Sequence, residues 1–322
     1  MASRCLVFPV LGLVLGALAL HGAEPHIEVF RFAADGPVTF RLDTFQGEIK
    51  VETDSQPEIR LQVISHSRAQ ADKSATTEVG RLNCRADQAP GAVTVSVSFE
   101  GKSSLFSRED WPPVEVRFEL TVPRTCVMDL TTGEGAIRLG ELSAPTRVKT
   151  GSGLVFCRQA GQRLEAISGG GDLVVSRSTG DLKLQTAGGA IRVGSVEGNA
   201  DLDNRSGDVE ILVARKGLLA RAEAGDIEAG LPKQLLGAYH LETKGGSILL
   251  GLDPQSSVRL EATSVWGKVF SKLPLQPILG KLESRQFHGL LNAGEVTVVA
   301  KASGGHVRIE SRPDNLPRVT GE

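Results

Sequence analysis

The sequence predicts an all-β fold: a parallel β-helix, or solenoid, with about 18 residues per rung and an antiparallel β cap on its N-terminal side. Three observations carry this. A glycine recurs at intervals of 18 through the middle of the chain, and apolar residues alternate with polar ones on either side of it. Aromatic residues make up only 4% of the chain while glycine reaches 37 residues. A core with so few rings must be filled by small branched side chains, which suits short stacked strands.

The glycines are Gly135, Gly153, Gly171, Gly189, Gly207 and Gly225 at intervals of 18, then Gly246 and Gly267 at intervals of 21. Two places after each comes a branched residue: Ile137, Val155, Leu173, Ile191, Val209, Ile227, Ile248 and Val269. Two further on stand Leu139, Cys157, Val175, Val193, Ile211, Ala229 and Leu250, with Ser271 ending the series. Pairs such as Leu164/Ala166, Leu182/Leu184, Ala200/Leu202 and Leu218/Ala220 precede the glycine in the same alternation. Period two means strands with one buried face. One rung buries too few side chains to offset the entropy of ordering its residues, so the copies must stack.

Each glycine is expected at a corner with positive φ, where a side chain would also meet the rung below. Three places earlier stand Thr132, Thr150, Ser168, Thr186, Asn204, Ala222, Thr243 and Ser264. Stacked in register, these are expected to form a polar ladder along the rod.

The ends depart from the period. Phe40 to Val51 fits the template once around Gly47 and is taken as the first rung; Ile59 to Ile64, Ala92 to Phe99 and Val114 to Val122 read as longer alternating strands of a cap. Breakers make 101–113 a loop. Gly267 and Gly305 are 38 apart, so an insertion is placed near 272–290, with Pro274 and Pro277 keeping part of it out of the sheet, and the last rung is placed at Ala302 to Ile309. The division is therefore a leader at 1–23, an N-terminal β region with the first rung and capping strands at 24–130, solenoid repeats at 131–312 and a tail at 313–322.

The leader has Arg4, an apolar run from Cys5 to Leu20 and a small residue at Ala23, the form of a secretory signal peptide cut after Ala23 or, alternatively, Ala19. This predicts export to the periplasm, cell envelope or extracellular space. The formal net charge is −2 with both signs interspersed, so nothing points to nucleic acid. Beyond the leader, Cys84, Cys126 and Cys157 are too few and too irregular for a disulfide framework.

In the order of these features the chain resembles the bacterial putative adhesin domain family, a secreted β-solenoid domain of unknown function. The resemblance rests on the opening Gly47-Glu-Ile-Lys-Val51, the strand ending at Val122-Pro123, the serial Thr-x-x-Gly-x-Ile rungs, and the late insertion before a final Gly304-Gly-His-Val-Arg-Ile309. It spans roughly Phe30 to Glu310 and implies a β-helix-like fold with an adhesive or envelope-stress role. It supplies no catalytic residues.

Several constellations bear on chemistry. Asp172, Asp208 and Asp226 each follow a corner glycine; stacked carboxylates could share a Ca²⁺, and Gly-Asp is also ordinary turn chemistry. Glu210 and Glu228 lie one rung apart on one strand face with Arg192 a rung earlier; this reads first as an exposed strand face and second as the acid pair of a carbohydrate-active β-helix, whose usual long framing loops these short turns lack. Cys157 occupies an inward position, and Asn204-Arg-Ser206 matches a glycosylation sequon. The histidines are scattered, Gly101-Lys102-Ser103 lacks the first glycine of a phosphate loop, and no G-x-S-x-G elbow occurs. Trp111 and Trp266, the only tryptophans, are candidates either for contact with a ligand or for capping the core.

The expectation is a non-enzymatic adhesin-like binding or scaffolding protein without a cofactor. Its partner is a cell-wall or surface glycan or an envelope protein, and self-association through the solenoid ends is open. The alternatives are a polysaccharide lyase or hydrolase and a self-assembling structural rod.

Overall fold

A computed structural model describes residues 25–67, 82–99 and 114–312. The predicted leader, the 101–113 loop with Trp111 and the 313–322 tail lie outside the described residues. Within them the chain forms strands and no helix. The N-terminal strands are β1 (His26–Ala33), β2 (Thr39–Gln46), β3 (Glu48–Asp54), β4 (Glu58–Ser67), β5 (Leu82–Ala89), β6 (Ala92–Phe99) and β7 (Val114–Pro123). The middle holds β8 (Val127–Glu134), β9 (Ile137–Leu142), β10 (Thr146–Ser152), β11 (Val155–Ala160), β12 (Leu164–Ser168), β13 (Leu173–Ser178), β14 (Leu182–Thr186), β15 (Ile191–Val196), β16 (Asn199–Asn204), β17 (Val209–Ala214), β18 (Gly217–Ala222), β19 (Ile227–Leu231), β20 (Tyr239–Thr243) and β21 (Ile248–Leu252). The last are β22 (Val258–Ser264), β23 (Val269–Ser271), β24 (Gln276–Gly280), β25 (Gln286–Leu291), β26 (Val296–Ala302) and β27 (Val307–Ser311).

Each rung is two short strands joined across a corner, one in each of two facing sheets. From β8/β9 to β20/β21 every strand pairs in parallel with its counterpart one rung away, residue i with i+18 until the last step, where the partner is i+21. The lengthening falls in the corner between β19 and β20. Sheet A has 13 strands and sheet B has 14. At about 4.8 Å per strand the stack is roughly 60 Å long.

The predicted inward residues are the core. Ile137, Leu164, Leu173, Leu184, Ile191, Leu202, Ile211, Ala220, Ile227 and Ile248 are all buried between the sheets. Bulky rings occur mainly where the regular rungs give way, as with Phe40, Phe118 and Phe287.

At both ends the stacking order departs from the chain order. At the N-terminal end the expected antiparallel strands are present, and β6 and β7 each have an antiparallel partner on one side and a parallel one on the other. They form a further rung outside the first one, parallel to β2 and β3, and the chain then returns to β8 on the inner side of β2. The antiparallel strands are β4 on β7, β1 on β4 and β5 on β6.

At the C-terminal end, the rung placed last by the sequence is not last in the stack. β26/β27 is inserted between β20/β21 and β22/β23, and the excursion from 272 to 295 lets the chain turn back to reach that slot. The insertion itself forms the antiparallel hairpin β24–β25, seated on β22. Pro277 therefore lies inside a strand, contrary to expectation. β24 is the outermost strand of sheet B, where a missing N–H is not needed, and its register shifts between Pro277 and Leu279.

Candidate functional site

The corner glycines stack directly on one another. A Cβ on Gly171 would stand 1.8 Å from the Gly153 carbonyl oxygen, and one on Gly189 would stand 2.3 Å from the Gly171 carbonyl. The same obstruction holds for Gly207, Gly225, Gly246 and Gly267. Among the rung corners the predicted positive φ holds at Gly47, Gly135 and Gly153, at 141°, 125° and 124°. Beyond Gly153 the backbone conformation would accept a side chain, and the close approach alone excludes it.

The polar residues before these glycines are buried but do not bond to one another along the rod, which corrects the expected side-chain ladder. Thr132 and Thr150 donate to the carbonyls of Glu134 and Ser152 in their own turns, both at 2.8 Å. From Ser168 onward the hydroxyl oxygen faces its own glycine N–H, as in Gly171 N to Ser168 Oγ at 2.8 Å. Thr186, Asn204 and Thr243 also donate to the glycine carbonyl one rung back, at 2.9, 2.8 and 2.7 Å. Ser264 does the same to Gly305, its neighbour in the stack rather than in the chain. The turn thus switches type between Gly153 and Gly171. Asn204 is fully buried with its amide committed, so the sequon is inaccessible.

The Asp row is a ladder of a different kind. Asp172 Oδ1 accepts the N–H of Ala190 at 2.9 Å, Asp208 Oδ1 that of Asp226 at 2.9 Å, and Asp226 Oδ1 that of Ser247 at 2.7 Å. Asp172 also takes Arg192 at 2.9 Å. Each carboxylate is oriented to the next rung's backbone. Among the described residues no group of three or more His, Cys, Asp or Glu side chains converges as a metal cluster.

Trp266 stands on the corner between β22 and β23 and is 78% exposed, so it does not cap the core. Cys157 is buried, and burial pushes its thiol up to about 12, far from nucleophile chemistry. Burial does the same to Cys84 and Cys126, at about 12 and about 11; all three thiols are free. Glu210 and Glu228 are directly cross-strand on the outer face of sheet A. Burial, and then the Glu210 charge, raise the Glu228 carboxyl above the ordinary carboxylate value. Arg192, also in register with Glu210, is drawn to Asp172 instead.

Sequence reasoning missed an open groove of about 510 Å³ on sheet B at the edge opposite the glycine corners. It crosses the starts of β12, β14, β16, β18 and β20. One outer column runs Arg163, Asp181, Asn199, Gly217, Ala238 and the next runs Lys183, Asp201, Leu219, His240. Side chains shrink to nothing at Gly217 and to a methyl at Ala238, which opens the floor. Asp181 Oδ1 accepts from the Asn199 N–H at 2.8 Å, and Asp201 is paired with Arg221 at 3.1 Å. The signal was present in the sequence as a column that loses its side chains, visible only once the register is known.

A family model described as Toastrack DUF4097 matches residues 147–310, just over half of the chain. The chain belongs to the Toastrack DUF4097 family. The matched span of this Toastrack chain begins in β10, includes the groove and ends in β27. Solved structures similar to it include a putative cell adhesion protein from Clostridium sporogenes, at 10% identity over 89% of this chain and 100% of that one, with a TM-score of 0.25. A putative adhesin from Bacteroides fragilis is 12% identical over 88% of this chain and 97% of that one, with a TM-score of 0.37. A putative adhesin from Parabacteroides distasonis is 10% identical over the same shares, with a TM-score of 0.38. No curated protein matches the chain.

Proposed function

We propose that this Toastrack protein is a non-enzymatic, adhesin-like binding or scaffolding protein, exported through its leader and acting at the cell envelope. The sheet-B groove is its contact surface, and the ligand is an extended polar polymer such as a cell-wall or surface glycan. The observation that carries this reading is the groove's continuity across five stacked strands, with donors and acceptors on its flank and a Gly/Ala floor. A repeating ligand can lie along a repeating surface. The groove's two carboxylates already accept hydrogen bonds from neighbouring groups, which suits holding hydroxyls better than transferring protons.

One observation favours a second reading. The Glu210 and Glu228 carboxyls face each other across adjacent strands, and the raised value at Glu228 is what a general acid for glycoside cleavage requires.

The test is titration with soluble cell-wall and surface polysaccharides while reducing-end release is followed in the same samples. Saturable binding without release, weakened about tenfold or more by joint Arg163→Ala and Lys183→Ala substitution, is expected. Release that disappears in Glu228→Gln would replace the binding reading with the hydrolytic one.

A further inference from the structure

Eight large hydrophobic side chains are exposed among the described residues, and five of them belong to the C-terminal end of the rod: Val265, Trp266, Ile278, Leu279 and Leu282. They are not scattered. The tip of the β24–β25 hairpin is tied to the Trp266 corner by Ser264 N–H to Arg285 O at 2.8 Å, Val269 N–H to Ser284 O at 2.8 Å and Glu283 N–H to Val269 O at 2.7 Å. Behind them Leu273 and Leu275 close the core, so the exposed five are surplus to capping it.

The same segment is locally cationic although the whole chain has a net charge of −2. Between 265 and 288 stand Lys268, Lys272, Lys281 and Arg285 against one acid, Glu283, and all five charged residues are exposed. Lys272 is paired with Glu310 at 2.8 Å. An exposed Trp with Leu, Ile and Val, fringed by Lys and Arg, is the composition that settles into the interface of an anionic bilayer. A second copy of the chain is a poorer fit as occupant of the edge strand, because β24 carries Pro277 and a register shift that blunt it against strand addition.

We infer that the C-terminal cap is a peripheral membrane-docking surface for anionic lipid. The tryptophan and hairpin-tip side chains enter the headgroup region, and Lys268, Lys281 and Arg285 contact lipid phosphates. No helix among the described residues is long and apolar enough to cross a membrane. The inference goes beyond the groove reading and does not depend on it, since it uses the far end of the stack.

The test is flotation of the full chain with vesicles of phosphatidylcholine and phosphatidylglycerol mixed seven to three, against vesicles of phosphatidylcholine alone. A Trp111→Phe background lets fluorescence report Trp266 alone. Binding to the anionic vesicles only, with a blue shift of Trp266 emission, is expected. Joint Lys268→Gln and Lys281→Gln substitution should weaken it about 25-fold, at roughly fivefold per charge. Trp266→Ala with Leu279→Ser should abolish it, with unchanged circular dichroism confirming the fold. No flotation, or flotation indifferent to these exposed substitutions, overturns the inference. So does lipid-independent growth in sedimentation with concentration that the same variants remove, which would make a second copy the occupant.

Discussion

Between β8 and β21 the rungs stack in the order in which they are written; outside that span, at both ends, they do not. The central rungs share one plan of two short strands across a corner, and each finds its neighbour by default because it emerges next to it. At the ends, antiparallel strands interrupt the series, and a rung separated by an excursion can dock elsewhere. β6/β7 docks outside β2/β3, and β26/β27 docks inside β22/β23. Periodicity specifies what a rung is, whereas connection length and capping decide where it goes.

The largest effect that would break the central regularity is at the glycine column. Gly189→Val would place its side chain against the Gly171 backbone, and a loss above about 4 kcal/mol or failure to fold is expected by urea denaturation. Gly170, in the same turn region, meets nothing within 4 Å, and Gly170→Ala should stay within about 0.5 kcal/mol.

The next effect separates centre from end. Leu184→Ala and Phe287→Ala should each cost about 2–5 kcal/mol, since both side chains are fully buried. Hydrogen exchange should distinguish them: loss throughout the neighbouring rungs for Leu184→Ala, and loss confined to β22–β27 for Phe287→Ala.

A smaller contrast lies within the turn switch. Thr186→Val removes a donor to Gly171 across rungs and an acceptor for Gly189, so it should cost about 1–3 kcal/mol; Thr150→Val removes one bond within its own turn and should cost about 1.

The smallest effects are in pH dependence, and their signs oppose. The Arg147 side chain, by its hydrogen bond, holds the Glu165 carboxyl below the ordinary value, so this contribution is present above the unfolded value and fades as pH falls through the folded one. The raised Glu228 carboxyl favours the folded state while protonated, fully below the unfolded value, and loses that advantage as pH rises through the folded one. At pH 7, Glu165→Gln should therefore lower stability and Glu228→Gln should raise it, each by a few tenths of a kcal/mol after solvent screening, in thermal melts.

Much of the fold was legible because a period of 18 with one glycine and alternating apolar residues leaves few arrangements for the middle of the chain. β5 escaped because Leu82, Cys84 and Ala86 make a weak apolar face, and β1 because its Ile27 and Val29 are exposed on the opposite side. The Asp row was legible as positions, but its chemistry depended on an N–H one rung away that accounts for each Oδ1. The groove was not legible, because it arises where Gly217 and Ala238 fail to fill a column.

The central functional claim is that this groove, rather than the corner bearing Asp172, Asp208, Asp226 and Trp266, holds the ligand. Polysaccharide binding of Ala238→Phe, which fills the groove from an exposed position, set beside that of Trp266→Ala tests it most directly. The account predicts about a tenfold or greater loss for Ala238→Phe and no more than about a twofold change for Trp266→Ala. Undiminished binding by Ala238→Phe together with loss in Trp266→Ala would contradict it.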